Sequence, residues 1–399
     1  MRSSYRDVDA RSMSAISGGH AFVDLCQGVV PALLPFFVAR RGFSYAEASA
    51  LVLAATISSS IIQPLFGVLS DRRPASWLLP AGILLAGAGV SVAGLTQSYG
   101  LTFAAIAASG VGVAAYHPEA SRFANYVSGP RRATGMSLFA VGGNAGFALG
   151  PVVVTPLVLA FGLGGTIWIL VPALAMTGAL VLAGPRLRGF RSHAARRIAA
   201  SAGHDEWGAF ARLVTVIALR SWAFFGLVTF VPLYFTGVLG TSTGAGNAAL
   251  TAMLAGGAVG TLIGGPLADR FGRRPVLIGS LFSVAPAIGL FLLAGPVVGT
   301  ILLALVGAVT ICTFAVTTVM GQELLPRCIG LASGVTLGLS IGAGGIGAAL
   351  LGVLADAAGL TAALGAAAVL PLIGAAVAWT VRPRARSAAA SAPGLAPAR

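Results

Sequence analysis

Long runs of apolar residues dominate the chain and recur twelve times. A helix needs about 20 mostly apolar residues to cross the hydrocarbon core of a bilayer. Runs of this kind lie at about 14–38, 46–69, 76–96, 100–127, 133–158, 164–184, 209–236, 245–268, 275–294, 298–324, 329–354 and 360–381. Strands of a membrane barrel are shorter and alternate in polarity. The pattern therefore predicts an all-α integral membrane protein with twelve transmembrane helices, numbered here as spans 1 to 12.

The twelve spans fall into two groups of six, separated by the longest polar stretch, at about 185–208. The groups resemble each other, since GVLSDR at 67–72 follows span 2 and GPLADR at 265–270 follows span 8. Two pseudo-symmetric halves around a central site are typical of secondary transporters. We expect an N-terminal half at 1–184, a cytoplasmic linker at 185–208, a C-terminal half at 209–381 and a disordered cytoplasmic tail at 382–399.

Composition supports this fold and excludes several functions. Apolar residues make up 57% of the 399 residues and charged residues only 9%, against about 25% charged in soluble domains. There is no Lys among the 25 basic residues, so a phosphate-binding loop of the GxxxxGK[ST] type is excluded. The three Cys and four His show no CxxC or HExxH spacing, so we expect neither a metal site nor a cofactor.

The arginines set the expected orientation. Counted along the chain, 21 of the 25 lie in the termini and in the loops or helix ends on one side, and only Arg40 and Arg41 lie on the other. The positive-inside rule therefore predicts that both termini are cytoplasmic. This topology accounts for the net charge of +14, and no nucleic-acid partner is expected.

Three carboxylates lie inside predicted spans, namely Asp24, Glu119 and Glu323. A charge at the bilayer centre is costly, so it normally faces a cavity or a partner. We therefore expect these residues, together with His117, to carry protons. The alternatives are an ion pair that only packs helices, with Arg220 or Arg122 as partner, and for Glu323 a position at the membrane interface.

Local spacing strengthens two of these candidates. His20, Asp24 and Gln27 share one face of span 1, because they are three or four residues apart. In span 4, Glu119 and Arg122 are three residues apart, and Pro118 frees a carbonyl one turn back. The missing hydrogen bond is tolerated where a helix lines a cavity.

An anionic solute would need a cation inside the bundle, and Arg always stays charged. Arg220 lies near the middle of span 7 and Arg122 lies in span 4. Either could bind an anion or serve as the counter-ion of Asp24 or Glu119. Neutral hydrogen bonds are expected from three amides, Gln27, Asn144 and Gln322.

Two further motifs indicate how the helices pack and move. The loop GPLADRFGRR at 265–274 resembles the signature loop of the major facilitator superfamily, and its first copy keeps only part of it. We expect a conformational latch formed by Gly67, Asp71, Arg72, Gly265, Asp269, Arg270, Gly272, Arg273 and Arg274. Glycines four residues apart allow helices to approach closely, which indicates packing roles for Gly142, Gly146, Gly150, Gly334, Gly338 and Gly342.

The strings HPEASR at 117–122 and QELLP at 322–326 are similar to those of the fosmidomycin-resistance family of major facilitator transporters. The resemblance covers nearly the whole chain. It implies a bacterial inner-membrane exporter that exchanges a drug for protons. Fosmidomycin is a small phosphonate anion, for which Arg122 and Arg220 would have an obvious use.

We therefore expect proton-coupled efflux of a small anionic drug by alternating access, carried out by a monomer in the lipid bilayer. The alternative in the same class is an uptake symporter or uniporter for another small organic solute. An enzyme is not expected, because the GxSxG match at 338–342 lies inside a glycine-rich helix rather than on a strand–turn–helix elbow. A sensor would need a soluble signalling domain, for which no segment is long enough.

Overall fold

The computed structural model describes residues 8–72, 75–128, 132–190 and 204–381. Within these ranges the chain forms thirteen α-helices and one short 3-10 helix, and no strand. The first half contains α1 (Ala10–Arg41), α2 (Tyr45–Arg72), α3 (Leu78–Leu95), α4 (Tyr99–Val127), α5 (Arg132–Phe161), the 3-10 helix (Leu163–Ile169) and α6 (Leu170–Gly189). The second half contains α7 (Trp207–Gly237), α8 (Thr243–Phe271), α9 (Arg273–Leu293), α10 (Pro296–Ile311), α11 (Phe314–Leu324), α12 (Ile329–Ala358) and α13 (Leu360–Thr380).

These helices provide the twelve spans that the apolar runs predict. Twelve helical stretches of the described residues are long and apolar enough to cross a membrane. The sixth stretch begins with the 3-10 helix, and the tenth consists of α10 and α11. The last helix of the first half continues to Gly189, and α7 begins at Trp207. Residues 191–203 of the expected linker and the tail 382–399 lie outside the described residues.

The break between α10 and α11 lies at Cys312 and Thr313. The carbonyl of Cys312 lies against Gly264 of α8, at a place where any Cβ would overlap it. The absence of a side chain at Gly264 therefore lets the interrupted backbone pack tightly on the neighbouring helix. Irregular backbone at membrane depth is tolerated where protein surrounds it.

Pro118 does not interrupt its helix, in agreement with the single span predicted at about 100–127. The helix α4 runs continuously from Tyr99 to Val127 with Pro118 inside it. The proline removes one backbone donor, but His117 Nδ1 lies 2.9 Å from the carbonyl oxygen of Val113 on the same helix. This side-chain contact supports the helix on the turn before the proline.

The two halves pack against each other through α2 with α12 and α5 with α8. Glycines of α12 make the first contact close, because a Cβ on Gly345 or Gly352 would overlap Thr56 or Ser49 of α2. Small residues at such contacts allow backbones to approach within van der Waals distance.

Most arginines of the described residues lie near one end of the bundle, where α2, α6 and α8 end. The halves are joined by hydrogen bonds near the opposite end. There the carboxylate of Asp356 in α12 accepts hydrogen bonds from the N–H groups of Tyr45 (2.8 Å) and Ala46 (2.9 Å), which begin α2. The side chain of Asn247 in α8 donates to the carbonyl oxygen of Ala32 in α1 at 3.0 Å. Among the described residues, hydrogen bonds between the halves are confined to this region. The halves are therefore joined by hydrogen bonds at the end opposite the arginine-rich one.

Candidate functional site

Asp24 lies near the middle of α1, between two imidazoles. His20 Nε2, one turn earlier on the same helix, is 3.3 Å from Asp24 Oδ2. His117 Nε2, from α4, is 3.2 Å from Asp24 Oδ1. Both contacts have ion-pair lengths. We call His20, Asp24 and His117 the carboxylate–imidazole cluster.

The surroundings hold the cluster in place. His20 Nδ1 lies 2.7 Å from the carbonyl oxygen of Phe139 in α5, and the Phe139 ring stacks on the imidazole at a centroid distance of 3.9 Å. The two imidazoles meet edge to face at 5.0 Å. The phenol of Tyr116 donates to the carbonyl oxygen of Ile16 at 2.5 Å and so points away from Asp24. Each ring is thereby fixed in orientation by a partner other than the carboxylate.

Close packing of α1 on α5 makes this arrangement possible. A Cβ on Gly142, Gly146 or Gly150 would overlap the backbone of α1, and one on Gly143 would overlap Asp24 and His20. The glycine run therefore brings the α5 backbone directly against the cluster, as small residues four apart allow.

The second glycine run consists of Gly334, Gly338 and Gly342 of α12, of which Gly338 and Gly342 differ in how closely a neighbouring helix approaches them. A Cβ on Gly342 would contact Ser60, Gly338 has open space around it, and for Gly334 the structure gives no side-chain surroundings.

Glu119 and Arg122 form a second site on α4, which faces α2. Glu119 is fully buried, and its Oε2 forms an ion pair with Arg122 Nη2. Arg122 Nη1 also donates to the carbonyl oxygen of Ser70, near the end of α2. A cleft of about 350 Å³ opens beside this pair and is lined by Gly67, Ser70, Pro118, Arg122, Asn125 and Met136, among others. Arg122 is thus already engaged by a carboxylate in this state.

Arg220 has a different environment, near the middle of α7. Its side chain is buried, donates to Thr313 Oγ1 at 3.1 Å and lies 5.7 Å from the centroid of the Phe314 ring. It forms no ion pair with Asp24, Glu119 or any other carboxylate of the described residues. A buried cation is costly unless an anion or strong acceptors compensate it. The arrangement therefore leaves a positive charge available inside the bundle.

The three candidate amides are all partly buried. Gln27 follows Asp24 on α1, and its Nε2 is buried without a hydrogen-bond partner among the described residues. Asn144 lies on α5 beside Gly143, and Gln322 lies on α11 and has a partner. Gln27 is thus the amide with a free donor.

Glu323 lies apart from the other carboxylates. It is exposed at the end of α11 and forms an ion pair with Arg273, which begins α9. This position matches the interfacial alternative rather than a place in the interior. The neighbouring Arg274 donates to the carbonyl oxygens of Ala378 and Trp379 at the end of α13. Within the second half, this loop thus ties α9 to α11 and α13.

The other residues of the expected latch are exposed or partly exposed, or their side chains lie outside the described part of the structure. Asp269 and Arg270 are exposed, and Gly272 adopts a φ of +88°, which favours glycine, at the turn into α9. A Cβ on Gly265 would meet open space, and one on Gly67 would lie 4.0 Å from the Cβ of Pro118. For Asp71 and Arg72 the structure describes the helix but not the side-chain surroundings.

Sequence reasoning missed two functional candidates. Asn247 joins the halves, but in the sequence it is marked only as an uncharged amide inside a predicted span. Thr313 accepts a hydrogen bond from Arg220, but in the sequence it is only one of several threonines in span 10. Neither residue differs from its neighbours strongly enough to be singled out before the helices are packed.

Comparison with known proteins agrees with the fold. The family model of the Major Facilitator Superfamily matches residues 16–339 and 248–398. An uncharacterized MFS-type transporter, YfnC of Bacillus subtilis, is 34% identical over 370 residues, covering 89% of each chain. The fosmidomycin resistance protein of Escherichia coli is 30% identical over 370 residues, covering 91% of this chain and 90% of that protein.

Solved structures show the same fold at low identity. A bacterial homologue of the human lysosomal transporter Spinster, in an inward-facing and occupied conformation, superposes with a TM-score of 0.73 at 16% identity, covering 96% of this chain and 97% of that one. The transporter FucP in an outward conformation gives 0.62 at 16% identity, covering 93% and 98%. Proteins of this family and fold are in general not enzymes. With twelve membrane helices in two six-span halves, and with relatives that cover nine-tenths of its length, the chain belongs to the major facilitator superfamily of transporters, as a multi-pass membrane protein related to the fosmidomycin resistance protein.

Proposed function

We propose that this transporter exports a small anionic drug such as fosmidomycin in exchange for protons, by alternating access. The observation that carries the proposal is a pair of buried sites, each near the middle of the first helix of its half. Asp24 lies between two imidazoles in the first half, and Arg220 lies without a carboxylate partner in the second. One site suits a proton and the other suits an anion.

The anion is assigned first to Arg220. A guanidinium binds phosphonate and carboxylate groups with two parallel hydrogen bonds. Among the described residues, Arg220 donates one side-chain hydrogen bond, to Thr313. Gln27, with its unpartnered Nε2, and Asn144 would add neutral hydrogen bonds. Arg122 would contribute only after leaving Glu119, so a second anion contact there requires a rearrangement of α4 against α2.

Protons are assigned to the carboxylate–imidazole cluster and to Glu119. Proton uptake changes the charge of a buried group and so changes the cost of exposing or burying it. In the cycle proposed, a proton from outside neutralises Asp24 or Glu119, the cytoplasmic-facing state is favoured, and the drug enters from the cytoplasm. Glu323 is left out of this path because it is exposed in its ion pair with Arg273.

The orientation belongs to the same proposal. With the arginine-rich end in the cytoplasm of a bacterial inner membrane, both termini are cytoplasmic. The contacts of Asp356 and Asn247 then form an outer seal, and the state described is closed to the outside. The loop with Arg273 and Arg274 would act as a latch that is remade as the halves rock. A monomer suffices for this cycle, and no cofactor is invoked.

The test is drug accumulation in a bacterial strain that lacks its own fosmidomycin resistance protein. Cells producing this chain should hold less fosmidomycin than control cells, and a protonophore should abolish the difference. Arg220→Ala should lose export. Arg212→Ala is the matched control, because Arg212 lies on the same helix, is exposed and bonds only the Gly208 carbonyl of its own helix in the described contacts.

A change in drug accumulation of the opposite sign would favour the alternative function, an uptake symporter or uniporter. Accumulation above that of control cells would show uptake rather than export and would overturn the proposed direction. Accumulation equal to that of control cells, with the protein present in the membrane, would rule out fosmidomycin as the substrate. Export that survives the protonophore would rule out proton coupling.

A further inference from the structure

The hydrogens on the cluster's imidazoles can be placed from their partners. His20 Nδ1 lies 2.7 Å from the Phe139 carbonyl oxygen, and His117 Nδ1 lies 2.9 Å from the Val113 carbonyl oxygen. A carbonyl oxygen only accepts hydrogen bonds. Both Nδ1 atoms must therefore carry a hydrogen, whatever the pH. The ring nitrogen left to titrate is Nε2 in each case.

Both Nε2 atoms face the same carboxylate, but through different oxygens. His20 approaches Oδ2 and His117 approaches Oδ1, at 3.3 and 3.2 Å. A neutral imidazole protonated at Nδ1 has a lone pair at Nε2. If Asp24 is ionised and both rings are neutral, each negatively charged oxygen of Asp24 faces the lone pair of one Nε2, and both contacts are repulsive. Each contact becomes attractive only when a proton lies on one of its two atoms.

One proton cannot satisfy the cluster. A carboxylic acid carries a single hydrogen on one oxygen, and the two oxygens of Asp24 face different rings. Protonating Asp24 alone, or one imidazole alone, leaves the other contact repulsive. Two protons beyond the fixed Nδ1 hydrogens make both contacts favourable, and they take the net charge of the cluster from −1 to +1. Because imidazole is a stronger base than a carboxylate, the two protons belong on the two Nε2 atoms.

No neighbouring group can replace these protons. Tyr116 of α4 uses its hydroxyl on Ile16, and Cys26 is the nearest other titratable side chain on α1. From α5 the cluster meets Phe139 and Gly143, which carry no titratable group. Glu119 and Arg122 are paired with each other.

We propose that the carboxylate–imidazole cluster binds two protons, and that His20 takes part in proton coupling as directly as His117 does. The inference rests on the proposed proton-coupled export for its role in transport, but the protonation itself does not depend on any substrate. In transport terms, two protons would enter through the cluster for each drug molecule exported.

The direct test is nitrogen NMR of the purified protein in lipid nanodiscs, with ¹⁵N-labelled imidazoles. His193→Gln and His204→Gln remove the other two histidines of the chain, which leaves the two cluster rings. EDTA is present throughout, because nitrogen and oxygen ligands within 4.8 Å of one another also suit a divalent cation. The expected spectrum at high pH shows two rings with hydrogen on Nδ1, and both Nε2 atoms take up a proton as the pH falls.

Asp24→Asn should lower both titration midpoints by at least one pH unit. Glu47→Gln, which removes an exposed carboxylate at the start of α2, should move neither midpoint. A ring with its hydrogen on Nε2 at high pH, or a ring that never titrates, would overturn the proposal. The titration of the unaltered cluster decides these outcomes, so the test remains valid even if Asp24→Asn fails to fold.

Transport gives the second readout. The drug gradient sustained by a fixed proton gradient reports the number of protons per drug molecule, and His20→Asn should reduce that number from two to one. An unchanged number would overturn the role of His20 in coupling. If fosmidomycin is not transported at all, the proposed function fails while the NMR result still decides the two-proton site.

Discussion

Asn247 of α8 donates a hydrogen bond to the main-chain carbonyl of Ala32 in α1 at 3.0 Å, so a buried amide of one half is fastened to the backbone of the other. The same amide group donates to Thr155 of α5 at 2.8 Å. Because the acceptor is the main-chain carbonyl of Ala32, the contact depends on where α1 lies rather than on the conformation of a side chain. It holds the halves together at the end opposite the arginine-rich one.

Asn247→Ala should therefore shift the protein toward the state that is open at this end. Two hydrogen bonds at about 1 kcal/mol each correspond to a shift of roughly 30-fold. The shift can be read as faster maleimide labelling of Ser49→Cys, a buried position of α2 against Gly352, in a background free of other cysteines. Thr251→Ala is the control, since Thr251 bonds only Asn247 of its own helix. Equal labelling rates for the two variants would show that Asn247 does not hold the seal.

Arg220→Ala should weaken binding of an anionic substrate. Hydrogen bonds to charged groups contribute about 1.5–3 kcal/mol, which corresponds to a roughly 10- to 150-fold higher KM. Arg220→Lys should recover part of the loss, because it keeps the charge but not the two parallel donors. Initial rates of fosmidomycin transport at several drug concentrations measure the effect. An unchanged KM in Arg220→Ala would exclude this residue from the substrate site.

Gly146→Ala should destabilise the first half. The added Cβ would overlap the backbone of Ala21, so α5 must move away from α1, and overpacking of this kind costs about 1–3 kcal/mol. Gly279→Ala in α9 is the matched control, because a Cβ there meets open space and alanine favours a helix. The midpoint of thermal unfolding in detergent should fall for the first variant and stay level or rise for the second. A fall of equal size in both would contradict close packing at Gly146.

Asp9 gives a prediction for pH outside the membrane-spanning helices. Burial raises the pKa of its carboxyl, but hydrogen bonds from Arg186 (2.5 Å) and from the Ser12 N–H (2.9 Å) outweigh burial and hold the pKa below its ordinary value. A pKa lowered by folding gives stability that is present above the unfolded value of about 3.9 and is lost as the pH falls through the folded value.

The thermal stability of wild type relative to Asp9→Asn should accordingly be constant between about pH 5 and 8 and shrink below about pH 4. Unfolding midpoints of both proteins across this range provide the measurement. A stability difference that grows on acidification would have the wrong sign and would reject the stabilising ion pair between Asp9 and Arg186.

Much of the fold follows from the sequence, because crossing a bilayer demands long apolar helices whose length can be counted. His20 and Asp24 were placed on one helix face by their spacing alone. The meeting of Asp24 with His117 was not predictable in the same way, since it depends on how α1 packs on α4. The break at Cys312 and Thr313 also escaped prediction, because no proline or charge marks it and its cause is the approach of α8 at Gly264.

Charged residues near helix ends were harder to place. Glu323 lay within the predicted tenth span, yet the structure exposes it beside Arg273. The next residue, Leu324, is buried, so Glu323 lies on the outer face of α11. Arg220 was equally compatible with an ion pair to Asp24, and only the packed helices show that Thr313 and Phe314 surround it instead. Sequence position gives depth along a helix, whereas the partner depends on the rotation of each helix in the bundle.

The central claim is that protons move against the drug through Asp24. Inside-out membrane vesicles with an imposed, acid-inside proton gradient and a pH-reporting dye test it most directly. Addition of fosmidomycin should make the lumen more alkaline in wild type and should have no effect in Asp24→Asn or Glu119→Gln, both present in the membrane at wild-type amounts. Alkalinisation of the same size in Asp24→Asn would contradict the account, because protons would then be exchanged for the drug without the carboxylate on which it depends.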